Sequence, residues 1–256
     1  MEIKQKRKTS AGIIILIIVA ALAVTALFVL MFFPVYHMIA GRNQKYLLKN
    51  SAVGSQVKFG MYEQDGNEEN GKEPIVWIIL DRRDGKVLLL SYYVLDCMKF
   101  SRNTAEYATW DRSEAREWLN GAFISEAFDG WQLDCICDTL INGDGERSAD
   151  TTDKVFILSV EEAERYFGSD EERRCPPTLY AVDKGAYNWS EQVKNNAVLG
   201  QYARTACIWW LRPYGGNKQL VPYVSAYGKT VPFGMQCSSQ YTGIRPAVWV
   251  DTGKLS

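Results

Sequence analysis

The chain has 256 residues, room for a short N-terminal segment and one domain of about 200 residues with a substantial core. Its formal net charge is -1 with acidic and basic residues mixed along the chain, which excludes a basic stripe and a nucleic-acid partner. The single histidine, His37, precedes the expected globular part. Ser-His-Asp and Cys-His nucleophilic mechanisms, histidine general bases and histidine-ligated metals are therefore excluded there.

Residues 1–11 form a basic tail that carries Lys4, Lys6, Arg7 and Lys8. Gly12 to Phe33 is an uncharged apolar run, long enough as an α-helix to match a hydrocarbon core of about 30 Å, and a transmembrane helix over 12–33 is the expectation. The run exceeds a signal-peptide core and leads into bulky Pro34–Met38 instead of a small-residue cleavage site, so a retained anchor is expected. Arg42, Lys45 and Lys49 follow more loosely than the N-terminal cations precede. That asymmetry places the N-terminus inside a bacterial cytoplasmic membrane and the C-terminal part outside. Residues 34–53 then read as a juxtamembrane spacer and 54–256 as an extracytoplasmic globular domain.

Within that domain Val57–Tyr62 reads as a strand. Pro74–Asp81 and Lys86–Ser91 are apolar runs around Arg83-Asp84-Gly85, the pattern of a β-hairpin. A helix follows, capped by Asp111 or Ser113, with Ala115, Trp118 and Leu119 on one face and Asn120-Gly121 as its stop. Ala122–Phe128 and Trp131–Asp138 read as irregular helix, Asn142–Asp153 as a polar loop and Val155–Leu158 as a strand. Ser159 with Glu162 is a capping box for a helix over Val160–Phe167. Residues 168–203 show no sustained period and are expected to be extended loop. Thr205–Arg212, Val221–Tyr227 and Gly243–Asp251 complete the strands. Strands, helices, then strands predict an α+β domain with a mainly antiparallel sheet and a few helices.

Cys97, Cys135, Cys137, Cys175, Cys207 and Cys237 all fall in this domain. An even number in an exported domain suggests disulfides, with Cys207–Cys237 the first pairing to expect and buried free thiols the alternative. Cys-x-Cys at 135–137 lacks the spacing of a zinc site, and neither metal nor cofactor is expected.

Several strings carry a family resemblance: Phe59-Gly60, Asn70–Ile75 leading to Trp77, Leu89–Ser91, Trp110, Ser113, Arg116, Trp118–Asn120, Phe123, Ala127-Phe128, Asp153–Phe156, Leu158-Ser159, Trp209–Arg212 and Arg245–Ala247. Over residues 57–251 the chain resembles a bacterial family designated domain of unknown function 6273. The resemblance implies shape more than activity: a distant likeness to the C-type-lectin-like fold of formylglycine-generating enzymes and variable ligand-binding proteins. Cys237 stands alone between Trp210 and Arg245, which departs from the paired active-site cysteines of those oxidases.

Candidate binding residues are Trp189, Trp210, Arg212, Tyr214, Tyr241 and Arg245. On a strand Trp209 and Trp210 face opposite sides, so one ring is available to stack on a ligand. The alternative is that both are covered and that Arg212 and Arg245 pair with carboxylates such as Glu73 or Asp153. Tyr187, Trp189, Tyr214, Tyr223 and Tyr241 sit among glycine, asparagine and serine, the composition of an adaptable recognition surface. Asn142, Asp144, Glu146, Asp150 and Asp153 are oxygen-rich but do not follow the EF-hand pattern. The function expected is a non-enzymatic, membrane-anchored module that binds a glycan, peptide or protein through loops 187–190, 213–219 and 238–242. A carboxylate-dependent hydrolase and a non-catalytic envelope scaffold are the alternatives.

Overall fold

A computed structural model describes residues 2–103, 107–186, 206–214 and 218–255, and within its first helix the side chains of 12–26 and 41–50. The backbone is helical over Glu2–Asn50 (α1). The expected transmembrane helix requires correction. Among the described residues no helix is long and apolar enough to cross a membrane. By packing the chain divides into a unit Met1–Tyr46 and a unit Leu47–Ser256, so the second begins ahead of the expected boundary at 54.

The second unit is α+β, built on two five-stranded sheets. The first sheet takes β1 (Gln56–Tyr62), β2 (Glu73–Arg83), β3 (Lys86–Ser91) and two later strands. Ile75, Trp77 and Ile79 are buried at every second position of β2, as the pleat requires. Asp84 and Gly85 both have positive φ, 51° and 71°, which makes the β2–β3 link the tight primed turn that Asp-Gly favours. Trp77 Nε1 donates to the Phe59 carbonyl at 2.6 Å, and the Phe59 ring lies 5.1 Å from that of Phe128. β1 bulges between Lys58 and Met61, and Gly60 has φ +75°. A Cβ there would come within 2.6 Å of the Phe128 ring, so no side chain fits where β1 meets the helices. The guanidinium of Arg82 caps the last turn of α1, with Nε donating to the Ser51 carbonyl at 2.7 Å and Nη2 to that of Leu48 at 2.5 Å.

A short strand β4 (Asp96–Cys97), not expected from the sequence, leads to α2 (Glu114–Trp118), which Ser113 and not Asp111 caps. The helix does not stop at Asn120-Gly121; it widens into a π turn over Leu119–Phe123 and continues as α3 (Ile124–Ala127). The wide turn has a use. Asn120 Oδ1 accepts from the Lys154 and Val155 amides at 2.9 and 3.1 Å, and its Nδ2 donates to the Val155 carbonyl at 2.8 Å. After α4 (Gly130–Cys135), a hairpin of β5 (Thr139–Ile141) and β6 (Thr151–Asp153) frames the expected polar loop. β7 (Val155–Phe156) and α5 (Val160–Tyr166), with the Ser159–Glu162 capping box, follow as expected.

The stretch expected to be loop from 168 holds α6 (Asp170–Arg173) and α7 (Leu179–Asp183); residues 187–205 lie outside the described ones. The second sheet adds β8 (Trp209–Trp210), β9 (Leu220–Val224), β10 (Thr230–Gln236) and β11 (Gly243–Ile244). Arg245-Pro246 then passes the chain back to the first sheet as β12 (Ala247–Asp251), so one expected strand is two. The sheet orders are β1-β2-β3-β12-β7 and β10-β9-β8-β11-β4, antiparallel throughout except where β11 pairs with β8.

No disulfide joins any of the six cysteines. Cys207 donates its amide to the Cys175 carbonyl at 2.9 Å, while Cys237 donates its own to Gln219, so the expected Cys207–Cys237 disulfide is not formed.

Candidate functional site

Of the six expected binding residues, Trp210, Arg212 and Arg245 serve the packing of the domain. Trp209 and Trp210 are both fully buried; their indole N–H groups donate to the carbonyls of Arg173 at 3.2 Å and Met98 at 3.0 Å. Neither ring is presented to a ligand, because each side of β8 is covered. Arg212 pairs with Glu162 at 3.0 Å, which ties the N-terminus of α5 to the end of β8. Arg245 is 3% exposed and has no carboxylate partner among the described residues. Its Nε donates to the Ser91 carbonyl at 2.9 Å, and its guanidinium lies against Trp209 and Phe167, 5.0 and 5.4 Å from the ring centroids. Neither arginine reaches Glu73 or Asp153. Tyr214 and Tyr241 are exposed, at 71% and 62%, while Tyr187, Trp189 and loop 187–190 lie outside the described residues.

The acidic loop 142–153 is organised by its own backbone. Asp144 Oδ1 accepts from the amides of Glu146, Arg147 and Ser148, which holds its carboxyl below the usual range. Asp153 is buried and holds Arg116, Trp110 and Thr151. Among the described residues one group of three possible metal ligands occurs elsewhere, Glu63, Asp65 and Glu73. Each carboxylate already accepts an amide of the β1–β2 connection, from Gly66, Asn67 and Gln64 respectively. That cluster shapes a loop.

The arrangement that stands apart lies where β4 meets the C-terminus of α7. Asp96 is 2% exposed. Its Oδ2 accepts from Tyr62 Oη at 2.7 Å and Lys184 Nζ at 3.0 Å, and its Oδ1 from the Cys97 amide at 2.6 Å. α7 is fixed here because Thr178 caps it, donates its amide to the Val94 carbonyl at 3.0 Å and donates its hydroxyl to the Leu95 carbonyl at 3.4 Å. Above the buried carboxylate opens a pocket of about 340 Å³ lined by Cys97, Met98, Lys99, Arg102, Glu114, Lys184 and Gln240. Cys97 Sγ donates to the Gln240 carbonyl at 3.2 Å, and exposed Gln240 and Tyr241 sit in the loop preceding β11. Arg102 is spent on Glu114, at 3.1 Å, and Lys184 on Asp96. Lys99, partly buried, has no partner among the described residues.

Ionisation at this site is locked. Burial, reinforced by Asp96, pushes the Cys97 thiol up to about 12. Burial and then Asp96 push the Tyr62 phenol far above its ordinary value. Burial alone would lower Lys184, but Tyr180 and Asp96 outweigh it and hold the ammonium above its ordinary value. At neutral pH the Cys97 thiol in the pocket wall is therefore protonated, as is the Tyr62 phenol buried against Asp96, and the Lys184 ammonium is charged. Of these residues only Tyr241 was singled out by sequence reasoning. One signal for Asp96 was present: a lone acid inside the apolar run Val94–Met98, where a charge is buried only if paired.

The model of the family described as "Domain of unknown function (DUF6273)" matches residues 84–252, more than half of the chain. The chain belongs to this family. The match takes in β4, the whole second sheet and the Lys184 pocket, whereas the strings at Phe59-Gly60 and Asn70–Trp77 lie ahead of it. No curated protein and no solved structure matches the chain. The expected C-type-lectin-like fold therefore has no support, and the fold stands as α+β with two mainly antiparallel sheets.

Proposed function

We propose that this member of the domain of unknown function family 6273 is a recognition module, and that the Lys184 pocket receives a negatively charged group on a glycan, peptide or protein. The observation that carries this reading is Lys99: a partly buried ammonium, without a partner among the described residues, beside two cations already neutralised by Asp96 and Glu114. A cation held in a pocket without a counterion gains most from a ligand that brings one. Exposed Gln240 and Tyr241 supply an amide and an aromatic ring at the edge, the adaptable polar and rigid apolar contacts that recognition surfaces combine. The Cys97 thiol and the Lys184 ammonium are both displaced further from neutrality, which favours holding a ligand over transforming it at these two groups.

Titration of the full chain with inorganic phosphate, acetate and a neutral amide tests the proposal. Phosphate and acetate are expected to bind in a salt-sensitive manner, and Lys99→Gln to weaken them about tenfold, the loss of one charge-assisted hydrogen bond. Equal binding by Lys99→Gln, or preference for the neutral amide, would overturn it.

A further inference from the structure

We propose that the Lys184 pocket selects the tetrahedral head of a sulfate or phosphate ester over a carboxylate. This rests on the reading of that pocket as an anion site and names the class of anion.

The carboxylates of the pocket have nothing left to accept with. Asp96 Oδ1 is taken by the Cys97 amide, and Oδ2 by Tyr62 and Lys184. Both oxygens of Glu114 are taken by a single residue: Oε1 accepts from the Arg102 amide at 3.1 Å, and Oε2 lies 3.1 Å from Arg102 Nε. The charged side chains therefore meet a ligand with donors only, which suits an oxyanion, whose oxygens all accept.

The donors differ in what remains to them. Glu114 offsets the Arg102 charge through Nε alone, and Nη1 and Nη2 make no hydrogen bond or ion pair among the described residues. The Arg102 side chain is 78% exposed, so a ligand can reach that fork. Its grip on one carboxylate by both amide and Nε restricts where the fork points. Lys99 lines the same pocket, is partly exposed and has no partner among the described residues.

The number of oxygens then decides. A carboxylate has two, so one anchored on the Lys99 ammonium keeps a single oxygen for a fork that takes two. A sulfate or phosphate ester has three terminal oxygens, one for Lys99 and two for Nη1 and Nη2 of Arg102. The space of about 340 Å³ holds such a head together with the start of the group it esterifies, and the exposed Gln240 amide is left for that group.

Titration calorimetry of the full chain with methyl sulfate, methyl phosphate and acetate, at one ionic strength and about pH 7.5, tests the proposal. At least one ester is expected to bind about tenfold tighter than acetate, the gain from one added charge-assisted hydrogen bond, and the tighter of the two identifies the ester. Arg102→Lys keeps the charge and removes the fork, and at so exposed a position the fold is expected to stand. That variant is expected to lose about tenfold for the ester and less than about twofold for acetate, so that the preference disappears. Acetate binding as tightly as both esters, or a preference that survives Arg102→Lys, would overturn the proposal and leave an anion site in place. Binding of none of the three would overturn the anionic reading with it.

Discussion

Arg116 Nε donates to Asp153 Oδ1 at 2.8 Å, and Asp153, its side chain 1% exposed, pairs with no other cation among the described residues. Trp110 and Thr151 complete its coordination from the second oxygen. This pair joins α2 to β6 and sets the backbone on which Asp111 stands. Removing one partner of a buried pair costs more than replacing both. Arg116→Met is therefore expected to lower unfolding free energy by about 3–5 kcal/mol in urea denaturation, and Arg116→Met with Asp153→Leu to recover much of it. A loss below about 1 kcal/mol would mean that the Asp153 charge is satisfied without Arg116.

Asn120 carries three hydrogen bonds to the Lys154–Val155 backbone from inside the π turn. Asn120→Ala leaves those groups unpaired and is expected to cost about 2–3 kcal/mol. Hydrogen exchange reads the same effect locally: the Lys154 and Val155 amides should exchange faster in the variant, and unchanged protection would contradict the assignment.

Alkaline stability follows from the buried thiols. Cys97 has an ordinary value of 9.0 unfolded and about 12 folded, through burial and then Asp96. Between those values the folded chain keeps a proton that the unfolded chain has released. Stability is therefore fully present below pH 9 and falls as pH rises, by about 1.4 kcal/mol per pH unit for each such thiol. Burial displaces Cys175 and Cys207 in the same direction, and Lys184 is raised too. Denaturation midpoints should drop steeply above pH 9, and Cys97→Ala should flatten the drop. An unchanged slope in that variant would remove Cys97 from the explanation. Six thiols titrating in denaturant without reductant would agree with the free cysteines; fewer would indicate a disulfide.

Local signals in the sequence were legible where one short stretch decides the outcome. Asp84-Gly85 specified a turn that only positive φ allows, and Ser159 with Glu162 specified a helix start, and both elements stand where expected. The helix stop at Asn120-Gly121 misled because Asn120 spends its side chain on β7, a distant partner that overrides a local stop signal. β4 is two residues long and exists only through its neighbours, so it has no period to detect. The aromatic strand offered Trp210 as a ligand platform, but whether a ring is exposed depends on both layers around β8, and both cover it. Lys99 and Lys184 were invisible as site residues. Their meaning comes from Asp96 and from Gln240, brought together by pairing of β4 with β11.

The most direct test of recognition at the Lys184 pocket is an array of charged and neutral glycans and peptides, probed with the full chain and Lys99→Gln side by side. The expected result is a set of ligands that share a carboxylate, phosphate or sulfate group and are lost or weakened about tenfold in the variant, with salt weakening what remains. Retained ligands without a negative charge, bound equally by both proteins, would contradict the assignment of this pocket as the binding site.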